Sequence, residues 1–81
     1  MEKGLQVAVR LFPLQSQEIR RLAFASSIFR SLCDDLAEAE TALEQLTGPA
    51  SAQHDLRRTE YQVLIEELSV EIGNMLKAHA R

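Results

Sequence analysis

From Leu22 to Leu46 the apolar residues Leu22, Ala25, Phe29, Leu32, Leu36, Ala39, Leu43 and Leu46 step by three and four without interruption. That spacing lays one stripe along an α-helix and cannot sit on one face of a strand, so it predicts a long helix. Gly48 and Pro49 end it. Glycine accepts the left-handed conformation that follows a helix, and proline has no N–H to carry one on. A second stripe comes after the break: Tyr61, Leu64, Ile65, Leu68, Ile72, Met75 and Leu76. The pattern predicts helices over 16–46 and 51–79 joined by a turn at 47–50, an all-α, coiled-coil-like antiparallel hairpin.

Local signals fit this reading. Ser16 is the expected N-cap of the first helix, and Lys77, His79 and Arg81 suit the dipole at the end of the second. Gly73 costs a helix interior about 1 kcal/mol relative to Ala, which points to a close approach by another backbone. With the turn near residue 49, antiparallel pairing sets Glu40 and Glu44 beside Arg57 and Arg58, and Arg30 beside Glu67. It also brings Arg20 and Arg21 near Lys77, an unfavourable meeting.

Residues 1–15 form an N-terminal arm of another character. Leu5, Val7, Val9 and Leu11 alternate with Gln6, Ala8 and Arg10 before Pro13. Alternation at period two with β-branched residues predicts a strand over 5–11. A lone strand leaves its backbone groups unpaired, and the chain offers no second strand. The expected partner is therefore the same strand of another copy, with a poorly ordered tail or an arm laid across the helices as the alternative.

Two helices packed only on each other make a rod with one seam and little core. Leu56, Val63 and Val70 recur every seven residues on the far side of the second helix, and Phe24 lies off the main stripe of the first. An apolar row there implies a covering layer or an exposed contact patch. The expected assembly is a homodimer in which two hairpins build a four-helix bundle, with Leu56, Val63, Val70 and Phe24 as interface residues.

Charge and chemistry narrow the function. The net charge is −3, split between +3 over residues 1–31 and −6 over 32–81, which argues against a general nucleic-acid footprint. The longest stretch without Asp, Glu, Lys or Arg is Gln45–His54, so no membrane span or convincing signal peptide is read. One cysteine, Cys33, cannot form an internal disulfide, which points to a reducing, cytoplasmic compartment. Its neighbours Asp34 and Asp35 raise a thiol pKa, the wrong direction for a nucleophile.

His54 and His79 are far apart and belong to no metal-ligand spacing, and the carboxylates fall on solvated helix faces. With no phosphate loop and no nucleophile elbow, neither enzymatic activity nor a metal or cofactor is expected. The reading is a small structural or protein-interaction module offering an apolar groove or stripe to a helical partner.

The alternative is a DNA-binding regulator. A strand followed by two helices resembles the ribbon-helix-helix layout over residues 4–12. The resemblance implies that paired strands enter the major groove with Gln6, Ala8 and Arg10 facing bases. The chain departs from that family where it has a turn around 25–28, because the stripe from Leu22 to Leu46 runs through unbroken.

Overall fold

The computed structural model describes residues 2–46 and 52–79, and every element among them is helical. Helix α1 spans Glu2–Leu11, and a single 3-10 turn follows at Pro13–Gln15. Helix α2 spans Ser16–Ala25, α3 spans Ser27–Glu44 and α4 spans Ala52–His79. The expected turn at 47–50, with Gly48 and Pro49, lies outside the described residues, as does Arg81.

The strand over 5–11 is overturned: those residues belong to α1. Leu5, Val7, Val9 and Leu11 alternate, but Gly4, Ala8 and Phe12 also lie four apart, and this second period prevails. Ala8, which a strand would turn toward solvent, is completely buried, while Leu11 is exposed. A helix satisfies its own backbone hydrogen bonds and a partnerless strand cannot, so packing overrides local β-propensity.

The long first helix is also corrected. It breaks at Ser26, whose backbone is extended (φ −129°, ψ 116°). Ser26 serves both neighbours: its N–H donates to the Leu22 carbonyl at 2.8 Å, and its Oγ accepts from the Phe29 N–H at 3.1 Å. Arg30 reinforces the corner by donating to the Ala23 carbonyl at 2.6 Å, which occupies an acceptor left open at the end of α2. Leu22 and Phe29 are both buried, so the apolar stripe stays in phase across the break. That continuity conceals the corner in the sequence. Ser16 is the first helical residue of α2 and not its cap; Gln15 precedes it without a side-chain cap bond.

These corrections change the architecture. α1 packs on α3 and α2, and α2 packs on α3 and α4, so one chain covers its own α3–α4 pair. The core joins Val7 and Ala8 of α1, Ile19 and Leu22 of α2, Phe29, Cys33 and Leu36 of α3, and Leu68, Ile72 and Leu76 of α4. Small residues make the α1–α3 contact close. A Cβ added at Gly4 would lie 2.5 Å from Asp34 Oδ1 and 2.8 Å from the Cys33 carbonyl carbon. Arg10 closes the same seam from the side through an ion pair with Glu40.

The charge register expected of a bare hairpin is accordingly replaced. Glu40 pairs with Arg10, and Arg30 caps α2. Arg21 donates to the His79 carbonyl at 3.1 Å, which makes it a cap for the last turn of α4. Gly73 is approached by a side chain and not by a backbone: a Cβ there would meet the Phe12 ring at 3.4 Å.

The two glycines predict opposite outcomes. Gly4→Ala forces α1 and α3 apart and should lower stability by about 1–3 kcal/mol, the usual cost of overpacking. Gly73→Ala meets the Phe12 ring at ordinary contact distance and should stabilise by up to about 1 kcal/mol through helix propensity. Urea denaturation of the two variants against the parent chain measures both.

Candidate interaction surface

Because α1 and α2 gather on the α3 side and at the C-terminal end of α4, covering is uneven. Leu68, Ile72 and Leu76 are buried, whereas residues 55–60 of α4 are all exposed. Three of the residues marked as an interface lie on this uncovered helix. Leu56 and Val63 are 60% and 47% exposed, and Val70 is 60% exposed. Their seven-residue spacing puts them in one row, pointing away from the core face.

Phe24 is the most exposed aromatic position at 89%, but it does not join that row. It stands at the Ser26 corner with Ile28, which is 68% exposed, and Arg21, one turn earlier, caps the far end of α4. From Val70, the nearer end of the row, to His79 the helix rises about 14 Å at 1.5 Å per residue. Phe24 belongs to α2 and is not part of the seven-residue row on α4.

The residues assigned to base reading are not presented together. Gln6 is exposed, Ala8 is fully buried, and Arg10 is held by Glu40. The paired ribbon has no strand to be built from, since residues 5–11 are helical. The structure does supply a break near residue 26, the feature the sequence lacked for that family, but a helix precedes it where the family has a strand.

One feature was missed in the sequence. Leu64 belongs by spacing to the main stripe of α4 and was read as core, yet it is 42% exposed. It borders an open groove of about 360 Å³ between α3 and α4, with half-buried Tyr61 beside it and Ala39 and Ala42 opposite. Ala39 in the α3 stripe, with Ala42 beside it, was the available signal: small side chains fill less of a seam than leucines do and leave a trough.

Among the described residues, no three His, Cys, Asp or Glu side chains come together as metal ligands. No helix there is long and apolar enough to cross a membrane. Cys33 is buried, and its thiol is pushed up to about 11, first by burial and second by the Asp34 carboxylate. Compared with known protein families, curated proteins and solved structures, the chain matches none.

The raised Cys33 pKa has a defined sign. The folded thiol holds its proton to higher pH than the unfolded one, so its contribution is intact below about pH 9 and is lost as pH rises toward 11. Stability measured from pH 8 to 11 should fall more steeply in the parent chain than in Cys33→Ala. The thiol should also react with a disulfide reagent only after denaturation.

Proposed function

We propose that the protein is a small non-enzymatic interaction module whose uncovered α4 surface receives a helical partner. The observation that carries this reading is the row Leu56, Val63 and Val70, roughly half or more exposed on a helix whose opposite face holds the core. Three large aliphatic side chains at heptad spacing on a solvent face are a contact row more readily than scattered surface residues. The sequence supports the non-enzymatic part, since it carries no phosphate loop, nucleophile elbow or metal-ligand spacing.

A homodimer was the expected form of this module because a bare hairpin lacks a core. That premise weakens once α1 and α2 cover the α3–α4 pair within one chain. Exposed Glu60, Glu66 and Glu67 also flank the row, so back-to-back pairing of two α4 helices would bring like charges together. The reading therefore favours a partner other than a second copy at this row.

A triple variant, Leu56→Asp, Val63→Asp and Val70→Asp, tests the proposal. These side chains are exposed in a single chain, so thermal stability should stay within about 1 kcal/mol of the parent, as for surface substitutions. A photo-crosslinking residue at position 63 should trap a discrete adduct in cells, one absent when it is placed at exposed Gln17. Finding no adduct would remove the module reading. A concentration-dependent loss of stability in the triple variant would assign the row to a second copy.

A further inference from the structure

We infer that the groove between α3 and α4 docks a cationic amphipathic helix of a partner protein. The groove is distinct from the Leu56–Val63–Val70 row, so either site can fail without the other. Its floor is apolar. Ala39 and Leu68 are buried at its base, Ala42 and Tyr61 are half-buried, and Leu64 is left 42% exposed. Small residues on the α3 side allow an incoming helix to approach closely, and Leu64 and Tyr61 supply ridges for it to interlock with.

Charge selects the occupant. Asp35 and Glu38 form the α3 rim of the groove, and both are exposed. On α4, exposed Glu60, Glu67 and Glu71 stand four residues before, three after and seven after Leu64, which puts them on its face. Residues 59–76 contain no Lys or Arg at all. Arg57 stands one turn before Tyr61, and Lys3 lines a neighbouring hollow with Glu38 and Ala42 on the α1 side of α3. An apolar trough between two acidic rims fits a helix with an apolar row flanked by Lys and Arg. A second copy meeting this groove through a two-fold axis would instead face its own acidic rims.

The probe is a fluorescent synthetic helix of about 20 residues, long enough to hold a helix, made of Leu and Lys with leucines along one face. Titrated with the full chain at low salt, it should bind saturably and release as salt is added. Binding should weaken about tenfold with Leu64→Glu and with the pair Asp35→Lys and Glu38→Lys, and stay unchanged with Val63→Asp. A peptide of the same composition with its leucines spread around the helix should bind about tenfold more weakly.

Equal binding of the two peptides would reduce the effect to bulk charge and overturn the site. Loss of binding with Val63→Asp but not with Leu64→Glu would move the occupant to the row. A wild-type dimer dissolved by Leu64→Glu would make a second copy the occupant. Should Leu64→Glu fail to fold by circular dichroism, the exposed Asp35 and Glu38 pair alone decides.

Discussion

The close approach of α1 to α3 at Gly4 is the contact on which the rest of the fold depends. Two long helices cannot enclose a core by themselves, because each offers one stripe and the seam between them is a single line. Where the side chains shrink to Gly4 and Ala8 on α1 and to Cys33 and Ala37 on α3, a third helix can lie close enough to bury the far side of that seam. Val7 then reaches the same cluster as Phe29 and Leu36. The Ser26 corner completes the arrangement by turning α2 so that Ile19 and Leu22 meet the C-terminal half of α4.

This self-covering has an electrostatic side. The N-terminal third of the chain is basic, which in isolation suggests a surface for an anionic partner. Folding uses much of that charge internally: Arg10 is paired with Glu40, Arg21 caps the end of α4, and Arg30 caps the end of α2. Exposed Glu60, Glu66, Glu67 and Glu71 of α4 lie in a stretch, residues 59–76, that holds no Lys or Arg, so the middle of that helix presents an acidic surface. Apolar side chains and carboxylates left uncovered on the same helix together describe a surface complementary to a basic helix.

Much of the helical core was legible. Leu22, Phe29, Leu36, Leu68, Ile72 and Leu76 were read as one stripe per helix and are buried, because a period of three and four is a property of the chain itself. The exposed row of Leu56, Val63 and Val70 was legible for the same reason. Three features were not. Residues 5–11 satisfy both a strand and a helix period, and only a neighbour chooses between them. The Ser26 break leaves the stripe in phase and so leaves no trace in periodicity. Leu64 shares its spacing with buried residues, and its exposure depends on how far α1 and α2 extend over α4.

The sequence by itself determined that helix dominates residues 16–44 and 52–79, which side chains share a face, and that Leu56, Val63 and Val70 fall on the side of α4 away from its core stripe. These follow from spacing along a single strand of polymer. Only the tertiary structure decided that residues 2–11 are a helix, that Arg10, Arg21 and Arg30 act as surface ties and caps, and that a trough stays open beside Leu64. Each of those depends on which surfaces lie within a few ångströms of one another, and distances between segments remote in the chain are not encoded in the periodicity of any one of them.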